Sequence, residues 1–143
     1  MGAGKLERIL SSLLDEDAFL SDFGIRGMSK EYEENPFCFS IDSGNTCEHS
    51  VRYQPAESDS NMFGGNSNWR GPVWFPVNYL LFESLQRFHY YYGDDLKVAL
   101  PTGSSNLVNL DEVANDLAGR LVGLFERDDS GNRAVYEEGS KFH

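Results

Sequence analysis

Apolar residues recur at helical spacing in three stretches of the chain. Between Lys5 and Leu14, Leu6, Ile9, Leu10, Leu13 and Leu14 fall on one side of a short helix. A second helix is predicted to begin at Phe75 or Pro76, because a proline in the first turn gives up an amide hydrogen that has no helical partner there. Its expected buried face is Val77, Leu80, Leu81, Ser84, Leu85, Phe88 and Tyr92, and it should end near Gly93. Glu83 and Arg87 can pair across one exposed turn of it, worth a few tenths of a kcal/mol at most. The third helix carries Leu110, Val113, Ala114, Leu117, Leu121, Leu124 and Phe125 to about Glu126. Asn109 and Glu112 have the spacing of a capping box, and Val108 can staple onto Val113.

The connections are long. Asp15, Glu16 and Asp17 end the first stripe and can begin a second short turn through Phe19. From Ser21 to Gln54 periodicity vanishes, and Gly24, Gly27, Asn35 and Pro36 read as turns. Phe37 to Ile41 and Val51 to Tyr53 can pair as a hairpin across the polar turn Asp42 to Asn45. DDLKVALPTGSSN reads as a polar connection in which Pro101 and Gly103 break any helix. Asp128 to Asn132 makes a turn, and Arg133 to His143 shows no complete element. Three apolar stripes joined by long loops are a poor inventory for a self-contained fold, so the chain is expected to be a fragment.

The length of 143 residues fits one domain, and 40% hydrophobic content supports a core. Net charge is −11, from 12 basic and 23 acidic residues, which would repel a phosphate backbone or an anionic bilayer. Nucleic acid and membrane are excluded as partners on that ground. No apolar run reaches the roughly 20 residues of a membrane span, and MGAGKLERILSSLL lacks a signal peptide's apolar core. A soluble, cytoplasmic protein is the expectation. Cys38 and Cys47 lie in no CxxC pair and near no histidine at zinc spacing, and read as free thiols, with a loop-closing disulfide as the alternative. His49, His89 and His143 surround no nucleophile. Neither a metal nor any other cofactor is expected.

The stretch that concentrates chemistry is Met62 to Leu81, MFGGNSNWRGPVWFPVNYLL. Gly64, Gly65 and Gly71 allow positive φ or a close approach, while Pro72 and Pro76 stiffen the path. Asn68, Trp69, Arg70, Trp74 and Asn78 crowd into the loop and the first helical turn. A pyranose has an apolar C–H face that can lie on an indole, and a hydroxyl edge that amides and guanidinium can hydrogen-bond. Other uses are equally open: the tryptophans as wedges between helices, Arg70 pinning a carboxylate, Asn78 as a cap or helix-to-helix hydrogen bond. Glu57 and Asp59 in PAESDS read as solvated or capping residues, not as a general acid and base.

At NWRGPVWFPVNYLL, flanked by ESDSNMFGGNS and ESLQRFHYYYGDD, the chain resembles glycoside hydrolase family 63 and its mannosylglycerate-hydrolase-like relatives. The likeness runs from the first helix through GIRGMSKEYEENPF and PTGSSNLVNLDEVA to RAVYEEG. It implies a mainly α fold, residues 1–143 forming part of an (α/α)6 toroid of six helical hairpins, with long loops and a short β-hairpin. It implies that Trp69, Arg70 and Trp74, with Asn68 and Asn78, line a sugar pocket. The reaction implied is inverting hydrolysis of an α-glucoside or α-mannoside, by an acid and a base about 6.5 to 9.5 Å apart. In that family the acid lies upstream of the loop and the base downstream, so neither catalytic group is assigned to this chain. By itself it is expected to be inactive, with the remainder of the catalytic domain as its missing partner. The alternatives are a non-catalytic carbohydrate-binding or scaffold fragment and a truncated gene product.

Overall fold

A computed structural model of the chain describes residues 2–40, 49–55, 61 and 69–136. Among them are three α-helices and three short antiparallel hairpins, a mainly α fold. In chain order these are α1 (Ala3–Leu13), β1 (Leu20–Ser21), β2 (Gly24–Ile25), β3 (Phe37–Phe39), β4 (His49–Val51), α2 (Phe75–Tyr92), β5 (Lys97–Ala99), β6 (Leu107–Asn109) and α3 (Leu110–Gly123).

The third helix forms as its sequence dictates. The Asn109 side chain accepts from the Glu112 amide at 2.9 Å, and Glu112 Oε2 accepts from the Asn109 amide at 2.8 Å. Two otherwise orphaned donors are thereby satisfied. Leu110, Val113, Ala114, Leu117 and Leu121 are buried as expected, whereas the predicted stripe overshoots at Phe125, which is 53% exposed. Val108 packs against the same core cluster as Val113.

In α2 the buried face differs from the predicted one. Asn78 and Leu85 are its buried residues, and Leu81, Phe82, Phe88 and Tyr92 pack partly against the core. Val77 and Leu80 are exposed instead. The reason lies in composition: apolar and aromatic side chains surround this helix, so spacing alone fits more than one face. The face turned towards α3 has a polar residue, Asn78, at its head. Glu83 and Arg87 stand 4.0 Å apart with Arg87 largely in solvent, a pair of little weight. Along α1, Leu6 and Leu10 are buried, followed by Leu14 just beyond it, while Ile9 faces outward.

The segment between α2 and α3 is not a bare polar connection. β5 and β6 pair there as Lys97↔Asn109, Val98↔Val108 and Ala99↔Leu107, and Leu96, Val98 and Leu100 enter the core. Thr102 closes the far end: its amide donates to Leu14 O at 2.9 Å and its hydroxyl to Ser11 O at 2.7 Å, capping the last turn of α1.

A second unforeseen hairpin, β1–β2, has the register Leu20↔Ile25 and Ser21↔Gly24. The predicted hairpin is present, but its second strand is His49–Val51, two residues ahead of the expected Val51 to Tyr53, in the register Phe37↔Val51, Cys38↔Ser50 and Phe39↔His49. Its polar turn lies outside the described residues. Cys38 is disulfide-bonded, which overturns the free-thiol expectation; Cys47, the chain's other cysteine, lies outside the described residues.

Two substitutions test this packing by thermal or denaturant unfolding. Leu117→Ala, at a fully buried position on α3, should cost about 2 to 5 kcal/mol, and Asn109→Ala, which opens the capping box, about 1 kcal/mol.

Candidate functional site

The described part of the loop ahead of α2 is held by its backbone at Arg70, Pro72, Val73 and Trp74. The Arg70 carbonyl accepts from the Gln54 amide at 2.6 Å, and the Pro72 carbonyl from the Gly27 amide at 2.9 Å. Val73 bridges antiparallel to Arg26. The Trp74 carbonyl takes the Asn78 amide at 2.9 Å and the Asn78 side chain at 3.0 Å. The loop thus touches the chain just beyond β2 through a single antiparallel bridge and one further hydrogen bond, and continues directly into a helix.

Gly71 is required. Its φ is +124°, and a Cβ there would stand 2.3 Å from the Tyr53 ring, so the aromatic rests directly on the loop backbone. Gly24, with φ +123°, approaches α2 in the same manner, since its Cβ would meet Asn78 Oδ1 at 2.9 Å.

On this support Trp69 and Trp74 stack, with ring centroids 5.1 Å apart and planes 30° from parallel. Trp69 is 61% exposed and Trp74 half-buried, so the pair presents one indole to solvent, backed by the other. Trp74 is also the N-cap residue of α2, with extended backbone angles, and lies near Gly27. A planar apolar face held in this way can receive the C–H face of a ring-shaped ligand without being ordered at the moment of binding.

The remaining sequence-predicted residues are placed differently. Arg70 is 2% exposed, beneath the surface of the loop. Asn78 is 1% exposed, and its amide is committed within the fold: Oδ1 accepts from Ile25 N at 2.7 Å, and Nδ2 donates to Ile25 O at 2.9 Å as well as to Trp74 O. The hydrogen bonds Asn78 makes differ from the helix-to-helix contact considered for it: they run to Ile25 in β2 and to the carbonyl of the N-cap residue Trp74. Asn68, Glu57 and Asp59 lie outside the described residues.

Behind the loop a cleft of about 420 Å3 is lined by Glu16, Asp22, Phe23, Lys30, Tyr53 and Pro72, among others. Arg26 also borders it, but its Nη1 donates to the carbonyls of Glu16 at 3.1 Å, Ala18 at 3.3 Å and Leu20, tying the turn after α1 to β2. Tyr53, Gly24 and Gly27 were missed as parts of the site. A usable signal was the pair of glycines around Ile25 and Arg26, since glycine beside a short apolar piece marks close backbone approach.

The chain matches the family model described as "Glycosyl hydrolase family 63 C-terminal domain" over residues 1–110, and it belongs to that family. It is 53% identical over 139 residues to a Saccharomyces cerevisiae protein, "Uncharacterized protein YMR196W", an alignment covering 96% of this chain and 12% of that relative. The chain therefore spans about an eighth of the length of the curated relative it matches. No solved structure matches it.

The site's anchoring makes two predictions. Asn78→Leu leaves the amide and carbonyl of Ile25 without their partner and should lower stability by about 2 to 5 kcal/mol in denaturant unfolding. Gly71→Ala must displace Tyr53 or the loop. The chain has two tryptophans, so loss of exciton coupling between their stacked indoles in circular dichroism reports the change directly.

Proposed function

We propose that this chain is part of an inverting α-glycosidase and supplies one wall of its sugar pocket, with Trp69 and Trp74 as the platform. The observation that carries the reading is the exposed Trp69 indole, stacked on Trp74 and carried on a loop pinned by Gln54, Gly27, Arg26 and Asn78. Family membership supports a carbohydrate as the ligand. The substrate proposed is an α-glucoside or α-mannoside, cleaved by an acid and a base supplied elsewhere in a longer protein. Arg70 and Asn78 act in this reading as positioning residues: Asn78 fixes the loop to the β1–β2 hairpin, and Arg70 supports it from below. The exposed residues Val77, Tyr79, Leu80 and Tyr91 on α2 are what a helix surrounded by further helices would present, which favours the (α/α)6 toroid as the complete architecture.

The test is made in the intact protein that carries this chain. Trp69→Ala removes a solvent-facing ring, so melting temperature should hardly change while kcat/KM on α-glucosides or α-mannosides falls by roughly 1 to 2 kcal/mol of transition-state binding. Trp74→Ala should reduce both, because that ring is half-buried as well as stacked. Unchanged kinetics in folded Trp69→Ala would remove the platform from the pocket.

A further inference from the structure

The β3–β4 hairpin stands without a buried side chain. Phe37, Cys38, Phe39, His49 and Ser50 are exposed, and Val51 is half-buried. Neither strand contributes to the apolar core. A two-stranded hairpin is marginal in water unless something besides its ladder supports it. Ring contacts give part of that support: Phe37 and Phe39 stack 6.2 Å apart, and Tyr32 meets Phe37 edge-on at 6.3 Å. A covalent bond gives another part. Cys38 is disulfide-bonded, and the sequence holds one other cysteine, Cys47, in the connection between the two strands. Such a bond keeps the strands together by limiting the freedom that the connection would gain on their separation.

What the hairpin holds in turn is the tryptophan loop. Just beyond β4, the Tyr53 amide donates to Tyr32 O at 3.1 Å and the Gln54 amide to Arg70 O at 2.6 Å. The Tyr53 ring lies against Gly71, where a Cβ would stand 2.3 Å from it. Arg70 and Gly71 follow Trp69 directly, and Trp69 stacks on Trp74. The backbone that continues β4 is therefore the one that fixes the loop beside the exposed indole.

A disulfide on an exposed strand is open to thiol–disulfide exchange, unlike one sealed in a core. We propose that the Cys38 disulfide is a redox switch on the tryptophan loop. Oxidised, it keeps β4 and its continuation in place against Arg70 and Gly71; reduced, it releases them. The reductant is a dithiol. One of its thiolates attacks a sulfur of the bond, the other sulfur leaves as a thiolate, and the second sulfur of the dithiol resolves the mixed disulfide. Two electrons and two protons pass to the protein's cysteines, and the dithiol becomes a disulfide. The effect on the loop stands on this geometry alone, while an effect on turnover rests on the reading of Trp69 and Trp74 as a sugar platform.

The test reduces the intact protein with dithiothreitol under native conditions, follows its cysteines by alkylation and mass spectrometry, and reads amide hydrogen exchange peptide by peptide. Reduction should speed exchange over residues 49–55 and 69–74 by roughly tenfold, the scale of one lost local tie, and leave α3 unchanged. On p-nitrophenyl α-glucoside or α-mannoside, kcat/KM should fall by roughly the same factor, as for an aromatic contact no longer held ready. The Cys38→Ser/Cys47→Ser variant should behave as the reduced protein with or without dithiothreitol, which separates this bond from any other in the longer protein. Because wild type is reduced in place, the outcome does not depend on that variant folding. A bond that resists dithiothreitol in the folded protein, reduction that leaves exchange unchanged in either segment, or a serine variant that matches oxidised wild type would each overturn the switch. Faster exchange in both segments with unchanged kcat/KM would keep the switch and remove the tryptophans from the sugar pocket.

Discussion

The amide of Asn78 takes both backbone hydrogen-bonding groups of Ile25, at 2.7 and 2.9 Å, and so stands in for a neighbouring strand. The same amide donates to the carbonyl of Trp74 at 3.0 Å. One buried side chain thereby joins the β1–β2 hairpin, the start of α2 and the loop that carries the tryptophans. Leaving either Ile25 group unpaired in this environment would cost about 1 to 3 kcal/mol. The arrangement therefore selects one relative placement of hairpin and helix.

From the other side α3 makes a matching contact. Arg120 is paired with Asp116 at 2.6 Å and donates through Nη1 to the carbonyl of Ser21 at 2.9 Å. The small hairpin is held between two helices by polar side chains, while Leu20 and Ile25 fill the apolar space beneath it. Gly24 lets the backbone come close enough for the Asn78 contact. Without the Asn78 contact the start of α2 and the loop before it would lose their buried polar tie to the hairpin.

The proposed function depends on that rigidity. An aromatic platform contributes most when its ring is in place before the ligand arrives, because the cost of ordering it has already been met during folding. Trp69 gains this through stacking on Trp74, itself seated at the N-terminus of α2. The bracing of Arg70 and Gly71 by Gln54 and Tyr53 extends the same rigidity to the β3–β4 hairpin.

Local rules in the sequence determined the elements that depend on neighbours within a few residues. The capping box of α3, the proline start and glycine end of α2, and the pairing of β3 with β4 were all legible because propensity, caps and alternation act over short spans. The family was legible from the motif around Trp69 and Trp74. The face α2 buries was not, since apolar side chains encircle it and the choice depends on where α3 and the hairpin lie. Nor were β1–β2, whose strands are two residues long, and β5–β6, whose intervening Pro101 and Gly103 make the segment read as a bare connection. Only the tertiary structure could assign Asn78 to Ile25, 53 residues away in sequence, because a contact over that separation leaves no periodic trace in the chain.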